Sequence, residues 1–496
     1  MHVAGYIVLF LSVSVFAIPV LNDPKDRRVA LGAAAIKPPA SASASASASA
    51  VPSGCPPMPI STLAPLPNEI PNQYMVTLKT STDLSSHLMQ LHRFISANQK
   101  CSTLNNSVSI QIDQSFMKFY AGTFDGRVLG WISGAQGVQT VERAQVLGDL
   151  NPKHGPAPGQ NFNKREIDRR RSGAPWNLAR ITSNGPLQLS LRGPSDTSQD
   201  WTYFLDGNAN GSSIAIYIVD TGVHATHAEL ANRVVSVSSE YLVKGVGDNM
   251  DDLSGHGTAV ASVVAGSTVG VANAATIIPM KVMQQYTDLM DDTTTITQIS
   301  SIGLVSGITN TIAHYDKVWN AKQGGGRAKP AIINISITMW KSPALEHVVE
   351  EAVAAGLHVV VAAGNNGANV CSRWISNVGQ ITVGATNIKD NKSSFSNYGK
   401  CVDVYGPGES VLVADIKGSG SNALITEAGT SFAAPLVSGL IATIISSSGN
   451  LSPSAMKNKI LSDATGKVAN IANFANAQNR LAHADPSIVN LIDHRR

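Results

Sequence analysis

The sequence predicts an α/β fold in which a parallel β-sheet is flanked by helices and preceded by a small α+β domain. Three observations carry this expectation. From Ser172 onward, short apolar runs rich in β-branched residues ("IAIYIVD", "AIINISI", "HVVVAAG", "QITVGAT") alternate with longer stretches of helical spacing. Strands apolar on both faces and separated by helices belong to a parallel sheet covered on both sides. Between Asn72 and Leu150 the pattern differs, with alternating strand-like runs around two short helical stretches. A chain of 496 residues, 43% hydrophobic and 14% charged, is long enough for one large core and a smaller second one.

The elements follow in order. Residues 1–17 read as a secretory signal. The apolar run Tyr6–Phe16 is too short to span a bilayer and ends at a plausible cleavage site, Val15-Phe16-Ala17, although only His2 precedes it as a basic side chain. Residues 18–71 hold five Ser-Ala repeats (Ser41–Ala50) and then a Pro-rich run, a composition that cannot bury enough apolar surface to order itself. Residues 72–150 give strands at "QYMVTLK", "FMKFYAGTF" and "GVQTVERAQVL" and helices at "DLSSHLMQLHRFIS" and "RVLGWIS". Residues 151–171 form a polar linker with Lys164-Arg165 and Arg169-Arg170-Arg171, which reads equally as a solvated basic loop or a processing site.

Residues 172–483 hold the α/β pattern, with further strands expected at "RVVSVSS", "IIPMKVM" and "VDVYGPG". Helices are expected at "GTAVASVVAG", "ISSIGLVSGITNTIAHYDKVWNAK", "SPALEHVVEEAVAAG" and "SFAAPLVSGLIATIISS". No role is assigned to the tail, 484–496. No later segment reads as a membrane span, because the apolar run Leu436–Ile445 is broken by Ser438, Gly439 and Thr443. The net charge of +3 makes no case for nucleic acid or an acidic membrane as partner.

In a sheet of this kind the chemistry collects at the carboxyl ends of the strands. Asp220 ends "IAIYIVD" before a Gly turn, and His256 stands between two glycines at the start of a small-residue helix. Ser431 in "ITEAGTSFAAPLVSG" falls at the head of an apolar helix, where N–H groups and the dipole favour negative charge, with Gly429 before it for a tight approach or unusual backbone angle. Pro435 is expected in the first turn, where a missing N–H does no harm. Singly, each residue has a plainer use, as a turn Asp, a loop His or an N-cap Ser. Together they supply what acyl transfer needs: a hydroxyl, a base to take its proton, and a carboxylate to fix the base's tautomer. Asn365, following strand "HVVVAAG", adds an amide donor for an oxyanion, with the Ser431 N–H as the second.

Four motifs in this order, "VDTGVHATHAEL", "GHGTAVAS", "AAGNNG" and "GTSFAAPLVSG", resemble the subtilisin-like serine proteases, closest to their proteinase K group, over about Ala174 to Asn476. The resemblance implies a serine endopeptidase with Asp220, His256 and Ser431 as catalytic residues and Asn365 in the oxyanion hole. It implies substrate-binding edges at Ser336-Ile337-Thr338-Met339 and Ala363-Gly364, and "APWNLARI" as the mature start. It also implies that residues 72–150 are an inhibitory propeptide, the protein's own intramolecular partner.

The family usually has Ser-Leu-Gly-Gly where this chain has Ser336 to Met339, which leads to the expectation of a narrower or shallower S1 pocket. Its second His after "HGT" and the His after Pro435 are also replaced here, at positions outside the triad. No cofactor is expected for catalysis. Structural calcium is common in the family, but its ligands are not assigned, and Asn387 stands where a carboxylate often helps hold one ion. The resemblance supports a disulfide between Cys371 and Cys401. By spacing alone the four cysteines allow three pairings, leaving open whether Cys55 and Cys101 pair or stay free.

The expected location is extracellular, with the vacuole as the alternative, for a monomer acting on protein or peptide substrates. Sequons stand at Asn105, Asn210, Asn334, Asn391 and Asn450, of which Asn334 falls in a strand expected to be buried. The competing reading is a non-catalytic secreted relative with the same fold. An α/β-hydrolase fails, because its nucleophile comes first and stands in Gly-x-Ser-x-Gly.

Overall fold

Residues 69–147 build an antiparallel sheet with two helices on one face, in the order β1 (Glu69–Leu78), α1 (Leu84–Asn98), β2 (Ser107–Asp113), β3 (Lys118–Thr123), α2 (Gly126–Gly134) and β4 (Val138–Leu147). The computed structural model divides into residues 1–50 and 51–496. It describes Cys55, Leu63, Leu66 and residues 68–147 (save 103), 170–187 (save 184), 201–204, 207–244, 250–288, 291–320, 329–371, 378–418, 422–464 and 467–484. The expected signal, nearly all of the linker 18–71, residues 151–169 and the tail beyond 484 lie outside the described residues.

Both helices start where the sequence caps them. The Asp83 carboxylate accepts from Ser86 N (2.6 Å), and that of Asp125 from Arg127 N and Val128 N (both 3.0 Å). Leu84, Leu88 and Leu91 of α1 and Val128, Leu129 and Ile132 of α2 close over Tyr74, Val76 and Tyr120. Strand β2 is absent from the sequence expectation.

The second region continues with β5 (Arg170–Ala174), α3 (Trp176–Thr182), β6 (Trp201–Phe204), β7 (Ala215–Asp220), α4 (His256–Ala265), β8 (Thr276–Lys281), β9 (Met283–Asp288) and β10 (Asp291–Ser300). Then come α5 (Ser301–His314), β11 (Ala331–Ile335), α6 (Pro343–Ala354), β12 (His358–Ala362), β13 (Ile381–Thr386), β14 (Val404–Pro407), β15 (Val411–Ala414), β16 (Leu424–Glu427), α7 (Thr430–Ser448) and α8 (Pro453–Asp463). Among the described residues β14-β13-β12-β11-β7-β8 form one sheet, parallel throughout.

One face of this sheet is covered by α4 and α7, the other by α5 and α6. Helix α7 is apolar all round and long enough to cross a membrane, yet the protein buries 89% of its most apolar window, as it does for a core helix. The antiparallel sheet joins the second region through β4, whose Leu147 and Val146 pair with Ile299 and Ser300 of β10.

Three expectations need correction. "RVVSVSS" makes only one isolated bridge, Val234 to Ile277, because Val235 and its neighbours run over the surface. Pro435 lies beyond the first turn of α7, so its missing N–H does delete a helical bond. Gly429 has φ 166°, extended backbone that any residue adopts, so no unusual angle requires it.

Candidate active site

The candidates gather at the carboxyl edge of the parallel sheet. Asp220 ends β7 fully buried. Gly222 follows at φ +115°, and a Cβ there would stand 2.6 Å from the carbonyl oxygens of Met250 and Asp251. Only glycine fits both the angle and the space. Gly255, at φ +97°, then admits His256 as the first residue of α4. Gly257 packs so closely that a Cβ on it would lie 2.1 Å from the Gly222 oxygen. These contacts bring the Asp220 turn against the head of α4, where His256 Nδ1 and Asp220 Oδ1 are 2.7 Å apart. With Nδ1–H donated to the carboxylate, Nε2 is the accepting nitrogen.

Two opposed effects set the basicity of the imidazole. Burial pushes its pKa down. The charge of Asp220 and its hydrogen bond, with smaller contributions from Asp252 and Glu427, push it up and prevail, so that it lies above the ordinary histidine value.

Asp252 is a residue the sequence reading missed. It is 2% exposed and accepts five hydrogen bonds. Its Oδ1 takes Thr221 Oγ1 (2.8 Å), Ser254 N (3.0 Å) and Gly255 N (2.9 Å), and its Oδ2 takes Thr258 N (2.9 Å) and Thr258 Oγ1 (2.7 Å). Thr221 Oγ1 in turn accepts from Gly257 N (2.9 Å). One carboxylate thus ties the Asp220 turn to the first turn of the His256 helix. The available signal was an Asp just ahead of a Gly-rich helix start.

Asn365 follows β12 after Gly364, at φ +94°. Its Oδ1 accepts from Thr430 N and Thr430 Oγ1 (both 2.9 Å), and Thr430 Oγ1 accepts from Gly364 N (3.0 Å). With Oδ1 held, Nδ2 lies at the head of α7, 3.4 Å from where a Cβ on Gly429 would stand. Asn397, also unassigned by the sequence reading, braces this loop. Its Nδ2 donates to Ala363 O (2.8 Å) and its Oδ1 accepts from Ala368 N (2.8 Å) and Asn366 N (3.1 Å).

Ser431 lies in the first turn of α7, partly exposed, and the Phe432 ring beside it is 5.9 Å from that of His256. Its Oγ donates to Ser336 O (3.0 Å), so in this conformation its proton is directed to the end of β11 rather than to the imidazole.

Parallel neighbours β11 and β12 place Ser336–Met339 alongside Ala363 and Gly364. Ser336, Ile337, Ala363 and Gly364 are buried and Thr338 is partly exposed, whereas Met339 is buried in the cluster beneath α5 and α6. Cys371 is bonded to Cys401, and Cys55 to Cys101.

Asn387 Oδ1 accepts from Lys389 N (3.1 Å) and Asn391 N (3.2 Å), and the nearby Asp390 is paired with Arg180 (2.7 Å). An amide already engaged, beside a neutralised carboxylate, does not fit a calcium ion. Among the described residues no three His, Cys, Asp or Glu side chains are grouped to hold a metal.

Comparison with known proteins agrees with this architecture. Residues 211–482 match the model of the subtilase family of peptidases. Alkaline protease 1 of Aspergillus clavatus is 31% identical over 431 residues, covering 84% of this chain and 92% of that one. Subtilisin-like protease 2 of Trichophyton equinum is 30% identical over 418 residues, covering 82% and 87%. Among solved structures, a cold-adapted subtilisin-like serine proteinase is similar at TM-score 0.50 and 28% identity, over 63% of this chain and 99% of that one. Fervidolysin from Fervidobacterium pennivorans shares the fold at TM-score 0.59 and 19% identity, over 85% of this chain and 61% of that one. Sequence motifs, sheet order and these likenesses converge: the chain belongs to the subtilase family and is a serine endopeptidase.

Proposed function

We propose that this endopeptidase is secreted as a zymogen and cleaves peptide bonds with Ser431 as nucleophile, His256 as general base and Asp220 as the carboxylate that orients and charges the base. The observation that carries the proposal is the 2.7 Å bond between two buried side chains, His256 and Asp220, at the edge where α7 presents Ser431. In the reaction the Ser431 hydroxyl leaves Ser336 O and donates instead to His256 Nε2. The hydroxyl oxygen then attacks the scissile carbonyl as Nε2 takes its proton, and the imidazolium returns that proton to the leaving amine. Water repeats the cycle in reverse to release the acyl group.

The field of Asp220, Asp252 and Glu427 favours the imidazolium formed in the first step. Asn365 Nδ2 and Ser431 N–H are the donors for the oxyanion. These transfers run through side chains alone and need no cofactor. A structural calcium is not part of the proposal, given the poor fit at Asn387.

Residues 72–150 act in this reading as the intramolecular inhibitor. Support comes from Glu142, whose carboxylate accepts from Ser342 Oγ (2.6 Å) and Ala344 N (3.0 Å) at the head of α6, and from Gln145 N, which donates to Ser301 Oγ (3.0 Å) at the head of α5. Thr338, partly exposed where the family usually has glycine, supports a restricted S1 site; Met339, next in the chain, is buried.

A fluorophosphonate probe tests the mechanism. The secreted protein should be labelled, and Ser431→Ala should abolish labelling and lower kcat by on the order of 10⁴-fold or more. Equal labelling of both proteins would overturn it. N-terminal sequencing of the secreted product locates the mature start, expected at or before Ala174. A P1-varied peptide library tests the S1 site, and free acceptance of large aromatic P1 residues would count against restriction.

A further inference from the structure

A helical carbonyl at position i normally accepts the N–H of residue i+4. For Ser431 that residue is Pro435, which has no N–H. The sequence thus removes a helix bond from the very peptide whose side chain is the proposed nucleophile. The structure fills the gap from outside the helix, for Ser336 Oγ donates to the Ser431 carbonyl oxygen at 2.8 Å.

Behind that hydroxyl stands a directed chain. Asn334 Nδ2 donates to Ser336 Oγ (3.0 Å), and Ser438 Oγ donates to Asn334 Oδ1 (2.9 Å). Asn334 and Ser336 are two apart on β11 and its extension, so they share a face of the strand. Ser431 and Ser438 are seven apart on α7, so they share a face of the helix. Asn334 and Ser438 are fully buried and Ser336 is 1% exposed. The loop closes where Ser431 Oγ donates to Ser336 O (3.0 Å).

We infer that Ser336, backed by Asn334 and Ser438, is a positioning clamp that replaces the hydrogen bond Pro435 deletes and so fixes the main chain of Ser431 against β11. This rests on Ser431 being the nucleophile. It gives the Ser336 side chain a task distinct from lining the substrate cleft. It also accounts for three buried polar side chains, Asn334, Ser336 and Ser438, placed between β11 and α7. The clamp bears on both reacting groups of residue 431, since its N–H and, through Cβ, its Oγ are attached to the same Cα as the bonded carbonyl. Loss of the clamp therefore displaces the attacking atom and one oxyanion donor together, while the walls that bind substrate stay in place.

The test is a cycle of variants of the full chain, matured and assayed on a chromogenic peptide for kcat, KM and fluorophosphonate labelling rate. Ser336→Ala should lower kcat and labelling roughly 10-fold with KM within about twofold, the scale of one lost hydrogen bond to a buried group. Ser336→Thr, which keeps the hydroxyl, should retain most of the rate. Pro435→Ala restores the missing N–H donor, so the double variant Ser336→Ala/Pro435→Ala should recover most of what Ser336→Ala loses. A residue that only lines the cleft would show no such rescue.

Ser438→Ala, remote from the cleft, should cost roughly threefold in kcat, and it carries the test alone should Ser336→Ala fail to mature. Independent losses in the double variant, a change confined to KM, or unchanged kcat in Ser438→Ala would each overturn the clamp. Wild-type protein that failed to label would instead overturn the reading of Ser431 as nucleophile.

Discussion

Asp252→Asn is the sharpest single perturbation of the site outside the three residues proposed to react. The wild-type carboxylate receives five donors on two oxygens. An amide keeps one acceptor and turns the other position into an NH₂ that faces donors. In the better of its two orientations the amide oxygen keeps Thr221 Oγ1, Ser254 N and Gly255 N, and the NH₂ opposes Thr258 N and Thr258 Oγ1. Each stranded buried donor costs about 1–3 kcal/mol, so the change should destabilise the fold by about 3 kcal/mol.

The same substitution removes a negative charge that helps hold the His256 pKa above its ordinary value. The imidazole must be neutral to act as base, so activity falls as the pH drops through that pKa. With Asp252 gone the pKa drops, and the acid limb of kcat/KM should move to lower pH. Urea unfolding measures the first effect, and a pH–rate profile on a chromogenic peptide the second. A variant within about 0.5 kcal/mol of wild type, with an unmoved acid limb, would refute the account of Asp252 as the tie between the two loops.

Gly257→Ala should lose activity and several kcal/mol of stability, because its Cβ would meet the Gly222 carbonyl at 2.1 Å and force the Asp220 turn away from α4; activity with thermal melting reads this out. Glu142→Ala should weaken the hold of the N-terminal domain by about 1–3 kcal/mol, since Ser342 Oγ and Ala344 N lose their acceptor, and inhibition by the excised domain added in trans measures it.

Lys392 is 3% exposed, donates to Ser393 O (2.8 Å) and Ser396 O (2.7 Å), and has its pKa pushed down by burial to about 8 from 10.5. A lowered folded-state pKa means that the unfolded chain binds the proton more tightly. Its contribution to stability should be full above the unfolded value and lost as the pH falls through about 8, a slope that Lys392→Met should abolish in urea titrations across that range.

Sequence alone determined the architecture and named the candidates for the reacting groups. Continuous β-branched runs such as "HVVVAAG" can be buried only in a sheet covered on both faces, and each candidate stood beside glycines at a strand end or helix start, a local signature that survives without coordinates. Tertiary structure decided what depends on contacts between distant segments. That Asp252 accepts from Thr221, that Asn365 is aimed by Thr430, and that Ser336 bonds the Ser431 carbonyl are pairings across 31, 65 and 95 positions. No periodicity encodes such partners, because hydrogen-bond geometry is set only when separate strands and helices are packed to van der Waals contact. Pro435 shows the boundary well: its lack of an N–H is plain in the sequence, but which carbonyl loses its partner, and which hydroxyl answers, follows only from where α7 begins and what lies beside it.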